Sequence, residues 1–216
     1  MINCFIFDLD GVIVDTARFH YLAWKEIANE LKIEFDETEN ERLKGVSRKE
    51  SLEILLQNTN TEISDREFTA LMDKKNWIYI DFVQQMNSSD IIPGVLETLN
   101  FIKNLNFKTA LASASKNAQL VIDKIGLNAV FDVIVDGNAA VQPKPSPEIF
   151  LMAAQKLNAK PENCVVIEDS AAGIEAAISA NMKCIGIGKP EFLGHADFVF
   201  NGFNEITIDF LNELIK

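Results

Sequence analysis

The hydrophobic positions of this chain change period along its length, and each change marks a structural boundary. Residues 3–7 form a short continuous apolar run, the pattern of a strand covered on both faces of a parallel sheet. Beyond it the period becomes helical. Trp24, Ile27, Ala28 and Leu31 recur at i, i+3, i+4 and i+7, and Asp15 or Thr16 is placed to cap the helix that carries them. Helical patterns then fill the chain to about residue 87, with Leu52, Leu55 and Leu56 marking one and Phe68, Leu71 and Met72 another. No strand is convincing in that block.

After Pro93-Gly94 the pattern alternates. Strands are predicted at 108–112, 131–135, 164–167 and 183–187, with a short last one at 198–200. Between them lie helical faces: Ala118, Val121, Ile122 and Ile125, stopped by Gly126; Phe150, Ala153, Ala154 and Leu157, opened by Ser146-Pro147; and residues 171–180. A C-terminal helix surrounds Phe210, Leu211 and Leu214. One strand, a helical block of about 70 residues, then repeated strand-helix units define a doubly wound, Rossmann-like parallel-sheet core of the α/β class with an inserted all-helical cap. The expected boundaries are 1–15 and 88–216 for the core and 16–87 for the insert. There is no internal repeat and no low-complexity segment.

Composition narrows the function classes. Twenty basic residues against 32 acidic ones give a net charge of −12, which disfavours nucleic acid and anionic membrane as partners. No segment has the length and apolarity of a membrane span, and MINCFIFDLDG lacks the basic flank of a secretory signal. Cys4, Cys164 and Cys184 each sit in an apolar run without metal-ligand spacing, which reads as buried free thiols in a reducing cytoplasm.

The chemistry gathers where the predicted strands end. In open parallel sheets ligands bind outside the carboxyl ends of the strands. There the sequence places Asp8, Asp10 and Gly11; Ser113, Ser115, Lys116 and Asn117; Lys144 in QPKPSP; and Glu168, Asp169 and Ser170. Four clustered carboxylates need protons or a cation to coexist. Mg²⁺ fits, because it takes hard oxygen ligands and completes its shell with water and phosphate oxygens. Ser113 and nearby amides would hold a phosphate, Lys144 would neutralise it, and an aspartate facing it is placed to attack phosphorus.

These motifs, DLDGV, the SAS loop, Lys144 and IEDS, resemble the four motifs of the haloacid dehalogenase superfamily of phosphotransferases. The resemblance implies that Asp8 forms a phospho-aspartyl intermediate and Asp10 is the general acid/base. It implies Mg²⁺ bound by Asp8, the Asp10 carbonyl, Glu168 and Asp169, with Ser113 and Lys144 holding the transferred phosphoryl group. DTARFHYLAWK, LKGVSRKES, DKKN and SASKN, with GIGKPEFLG and DFLNEL further on, are similar to the hexose-phosphate mutases of that superfamily over nearly the whole length. Such enzymes interconvert β-D-glucose 1-phosphate and glucose 6-phosphate through bound β-glucose 1,6-bisphosphate.

The likeness further implies that Thr16 and His20 steer Asp10, and that Arg48 grips the phosphate that is not reacting, with Ala114, Ser115, Lys116 and Asn117. Trp24, Leu43, Lys44, Gly45, Val46 and Ser47 would line the sugar side, while Lys75 and Asn76 fix a closed cap. A small-molecule sugar phosphate is the implied partner, and a monomer the expected state. The main alternative is a phosphatase of the same superfamily acting on a sugar phosphate or another small phosphomonoester; a phospho-accepting receiver domain would lack the insert.

Plainer readings stand beside these. An isolated Asp-Gly is a turn signal, Lys144 reads also as a solvated loop lysine and Arg48 as an exposed helix start. His20 and Trp24 read equally as packing residues, and Lys44 and Lys75 as surface lysines. ETENE (37–41) reads as a solvated face and His195 as a surface turn. Gln142-Pro143 departs from the small residues usual ahead of the motif lysine, which puts the phosphate grip in question.

Overall fold

The computed structural model describes residues 2–57, 63–139 and 142–215; residues 1 and 216, the outer limits of the expected core, lie outside them. Six parallel strands form one sheet: β1 (Cys4–Phe7), β2 (Lys108–Ala112), β3 (Val133–Val135), β4 (Cys164–Glu168), β5 (Lys183–Ile187) and β6 (Phe198–Phe200). Their order is β3-β2-β1-β4-β5-β6. The chain builds outward on one side of β1 and then crosses to β4 on the other, so a crevice opens at the carboxyl ends of β1 and β4. Phe7 is level with both Leu111 and Ile167, and the Asp8 amide donates to the Ile167 carbonyl at 2.9 Å. Asp8 therefore leaves the sheet directly beside Glu168.

Alternation along β1 supplies two cores. Phe5 and Phe7 join Leu111, Val165 and Ile167 on one face, packed under α5 (Val95–Asn104), α6 (Ala118–Ile125) and α10 (Ile208–Leu214). Cys4 and Ile6 join Ala110, Val166 and Cys184 on the other, under α7 (Glu148–Lys156) and α8 (Ala171–Ser179). A four-residue helix, α9 (Pro190–Leu193), follows β5. All three cysteines are free and buried.

Between β1 and β2 the insert folds as α1 (Ala17–Leu31), α2 (Glu37–Glu41), α3 (Arg48–Gln57) and α4 (Asp65–Val83), ahead of α5. The long α4 starts at a reciprocal cap in which Ser64 and Glu67 satisfy each other's backbone amides. The insert has its own core of Trp24, Ile27, Leu43, Leu52, Leu55 and Leu71, each fully buried aliphatic side chain contributing about 1.5–3 kcal/mol. At their lower ends Ala23, Tyr79 and Val83 join the sheet-side core instead. Helices α1 and α4 are thus rooted in the sheet domain while carrying the insert.

Two local expectations are corrected. Thr16 stands at the start of α1 but makes no capping bond; its hydroxyl donates to Asp10 instead. Strand β3 begins at Val133 rather than 131, because the Asp132 side chain takes the Thr109 amide at 2.7 Å in place of a ladder partner. His195 lies exposed in a turn, as expected. Among the described residues no helix is long and apolar enough to cross a membrane.

Candidate active site

The segments after β1, β2, β3 and β4 and the lower side of the insert line a cavity of about 750 Å³. Most of the residues expected at the site line it. Asp8, Asp10, Lys144 and Asp169 come from the sheet edge; Ala114, Ser115, Lys116 and Asn117 from the loop after β2; His20, Trp24, Leu43, Lys44, Gly45, Val46, Ser47, Arg48, Lys75 and Asn76 from the insert. Thr16, Ser113 and Glu168 are absent from that lining and nearly completely buried beneath it. Ser113 Oγ accepts from the Ser115 amide at 3.1 Å, so it shapes its loop.

The densest charge cluster lies on the floor. Lys144, 1% exposed, reaches Asp8 Oδ1 at 2.5 Å and Glu168 Oε2 at 2.7 Å. The plain reading as a solvated lysine is thereby excluded, and Gln142-Pro143 does not divert the side chain. The second oxygen of Glu168 takes the Ser170 hydroxyl at 2.7 Å and the Asp169 and Ser170 amides at 3.1 Å each. Ser170 also caps α8 through the Gly173 amide.

Asp8, Glu168 and Asp169 offer carboxylate oxygens within 4.8 Å of one another. Burial, opposed by Lys144 but reinforced by Glu168 and Asp10, pushes the Asp8 carboxyl up to about 8. Burial, then the Glu168 and Asp8 charges, hold Asp169 well above its usual range against the pull of Lys44 and Lys144. A floor of hard anionic oxygens that resist ionising together is what a divalent cation relieves, and the donor set suits Mg²⁺.

A second relay starts on the insert. Lys75 was open to reading as surface; it is 2% exposed and its Nζ lies 2.7 Å from His20 Nδ1. When Lys75 is protonated it can only donate, so Nδ1 then accepts and the imidazole proton rests on Nε2, which faces Asp10 Oδ1 at 3.5 Å. Burial, with Arg48 nearby, draws Lys75 down to about 7. His20 is likewise lowered, by burial and by Lys75. Burial pushes Asp10 up, yet His20, the Thr16 hydroxyl and Lys75 outweigh it and leave the carboxyl below its ordinary value.

Further contacts join the insert to the sheet domain around the cavity. Asn76 Oδ1 accepts from Arg48 at 2.7 Å and from Asn117 at 2.8 Å. Lys44 pairs with Glu41 at 3.0 Å and reaches Asp169 at 3.8 Å. Gly45, at φ +74°, comes so near Ser170 that a Cβ would stand 2.3 Å from the serine oxygen. ETENE is therefore more than a solvated face: Glu41 holds Lys44, and Asn40 is buried and lines the cavity.

Several contributors escaped the sequence reading. Gly173 is required because a Cβ there would stand 2.0 Å from the Glu168 carboxyl carbon. Asp73 and Gly137 also line the cavity. Tyr79 lies under His20 with ring centroids 4.2 Å apart. Its signal was the run Leu71, Lys75, Tyr79, Val83, all buried at a spacing of four, which the lysine disguised.

A parallel sheet with a buried aspartate at the end of its central strand, a second acid two residues on, a buried lysine and an acidic pair after the neighbouring strand is the arrangement of one phosphotransferase family. The chain belongs to the haloacid dehalogenase-like hydrolases, whose family model matches residues 2–181. Within that family it is 42% identical, over 96% of its length and 93% of the relative's, to the β-phosphoglucomutase of Bacillus subtilis. The crystal structure of a β-phosphoglucomutase from Clostridium difficile superposes with a TM-score of 0.93 at 43% identity, covering 99% of this chain and 96% of that one. A phosphorylated carbohydrates phosphatase of Thermotoga maritima is 33% identical over 83% of this chain and 82% of its own.

Proposed function

We propose that this chain is a β-phosphoglucomutase, interconverting β-D-glucose 1-phosphate and glucose 6-phosphate through a phospho-aspartyl enzyme and β-glucose 1,6-bisphosphate. The observation that carries the reading is a single cavity lined by cationic groups from both halves of the molecule, Lys144 beside Asp8 on the sheet edge and Arg48 on the insert. A bisphosphate that binds in either of two orientations needs both.

In this reading Asp8 attacks phosphorus and Lys144 balances charge on the phosphoryl oxygens. As the bond from phosphorus to the sugar oxygen breaks, Asp10 delivers a proton to that oxygen; in the reverse direction it removes one from the attacking hydroxyl. Thr16 and His20 aim the Asp10 carboxylate, and Lys75 holds the His20 tautomer. Asp8, the Asp10 carbonyl, Glu168 and Asp169 are the proposed Mg²⁺ ligands; the ion would neutralise the carboxylates and polarise the phosphoryl group. Ser113 shapes the phosphate loop that Ala114, Ser115, Lys116 and Asn117 complete, and Trp24, Leu43, Val46 and Ser47 face the sugar.

Residues 16–87 act as a cap in this reading. Lys44, Gly45 and Asn76 seat it on the sheet domain, which keeps water from the acyl phosphate while admitting a sugar hydroxyl. We place the enzyme in the cytoplasm as a monomer. The test is a coupled assay for glucose 6-phosphate from the β anomer with Mg²⁺ and bisphosphate, run beside phosphate release. Isomerisation outpacing release is expected; rapid release without isomerisation would make the chain a phosphatase like its Thermotoga maritima relative.

A further inference from the structure

The end of the sheet away from the cavity carries a pair of groups that phosphoryl transfer does not use. Cys4 opens β1 and Cys164 opens β4, whereas Asp8 and Glu168 stand at the other ends of the same two strands. In the ladder Cys4 lies directly opposite Cys164, and both side chains join the core beneath α7 and α8. Their sulfurs are 2.8 Å apart although the residues are 160 positions apart in sequence. That is closer than two sulfurs in ordinary contact.

Register and spacing suit a covalent bond. Neighbouring strands run about 4.7–4.9 Å apart, inside the span of about 4.4–6.8 Å between α-carbons that a disulfide requires. Bringing the sulfurs to a bonded separation of about 2.05 Å is a movement of less than about 1 Å. Cys184 supplies the contrast. It lies in the same core but stands opposite Val166, so its register offers it no cysteine.

The pair is also polarised. The Cys4 thiol donates to the Cys164 sulfur, and Cys164 donates to the Lys160 carbonyl at 3.3 Å. The bond from Cys4 draws the Cys164 thiol below its ordinary value, against burial and the Glu162 charge, which makes Cys164 the better nucleophile. Both residues are buried, yet the turn leading into Cys164, Pro161–Asn163, carries exposed Glu162 and follows exposed Lys160. A small oxidant reaches the sulfurs by displacing that turn.

We propose that Cys4 and Cys164 form a redox-modifiable site, two thiols at rest that close into a disulfide between β1 and β4 under hydrogen peroxide. The Cys164 sulfur attacks one peroxide oxygen, the oxygen–oxygen bond breaks, and the departing hydroxide takes the Cys164 proton as water. The Cys4 sulfur then attacks the sulfur of the resulting sulfenic acid; the sulfur–oxygen bond breaks and hydroxide leaves with the Cys4 proton as a second water. A dithiol reductant restores both thiols by exchange, becoming a disulfide itself. The bond closes a loop of most of the chain, so it stabilises the fold by restricting the unfolded state. It does so independently of which phosphate ester the cavity takes.

The test exposes the folded chain to hydrogen peroxide, removes the excess with catalase, and then unfolds the protein in iodoacetamide. The intact mass before alkylation should fall by two hydrogen atoms, and Cys184 alone should be alkylated. A proteolytic digest should join the Cys4 and Cys164 segments in one fragment that dithiothreitol separates. Cys184→Ala should lose the same two hydrogens, and Cys4→Ala should not. The urea midpoint of the oxidised wild type should exceed that of the reduced form, with no such rise in Cys4→Ala. Three alkylated cysteines after peroxide, a bond to Cys184, or oxygen gained at Cys164 without a bond would overturn the site; a bond formed with no higher midpoint would overturn its stabilising role.

Discussion

The sheet edge and the insert reach the same cavity by opposite means. At the sheet edge, strand register does the placing: Asp8 and Glu168 emerge side by side from β1 and β4 and share one buried lysine. On the insert, placement depends on long side chains arriving together, with Arg48 and Asn117 meeting on Asn76, Lys44 extending to Asp169 and Lys75 to His20. A register is rigid and a reach is adjustable. The first half suits the chemical step, and the second suits closing over a ligand and choosing which acceptor enters.

The sharpest way to break this division is Asp8→Asn, which should eliminate turnover and any phosphorylated protein detectable by intact mass after incubation with bisphosphate and Mg²⁺. Mutase turnover surviving that change would remove the sheet edge from the chemistry. Next in size is Gly45→Ala. The left-handed backbone costs an alanine about 1–2 kcal/mol and the new Cβ meets Ser170, so kcat/KM should drop roughly tenfold or more. Shortening the opposed side chain in Ser170→Gly/Gly45→Ala should recover part of that loss if contact with Ser170 is the cause, though Ser170 also serves Glu168.

Asn76→Ala removes the oxygen shared across the cleft. At about 0.5–1.5 kcal/mol for each hydrogen bond, KM should rise about two- to tenfold with less change in kcat; a larger effect on kcat would mean the insert takes part in the chemical step. The smallest effect concerns stability. Lys75 binds its proton less tightly folded, at about 7, than at its ordinary 10.5. Between those values the unfolded chain holds a proton that the folded one lacks, so this residue makes stability rise with pH. Lys75→Met should flatten that rise in urea titrations of metal-free protein across the window.

The same division governs what could be read from the sequence. Short apolar strands followed at once by Asp8 or by Glu168-Asp169 are local signals, and five of the six strands lay within a residue or so of where they were expected. The insert gave weaker signals because its functional residues imitate others: Lys75 resembles a surface lysine, Thr16 a helix cap, and Tyr79 a core aromatic. Only three-dimensional neighbours separate those meanings. Glu168 explains Gly173, Asp10 explains Thr16, and His20 explains Lys75, across separations that no local period spans. The strand order itself follows from crossovers that pattern alone leaves open.

Asn76 gives the cleft a property of its own. One carbonyl oxygen accepts from a guanidinium on its own side and an amide on the other, so it behaves as a coincidence detector. A phosphate that draws Arg48 away leaves the oxygen to Asn117 alone, and one that draws Asn117 away leaves it to Arg48. Grip on a phosphate and grip between the two halves would thus compete for a single atom, and in the mutase reading proposed above this would tie the grasping of one end of a sugar bisphosphate to the loosening of the enclosure around it.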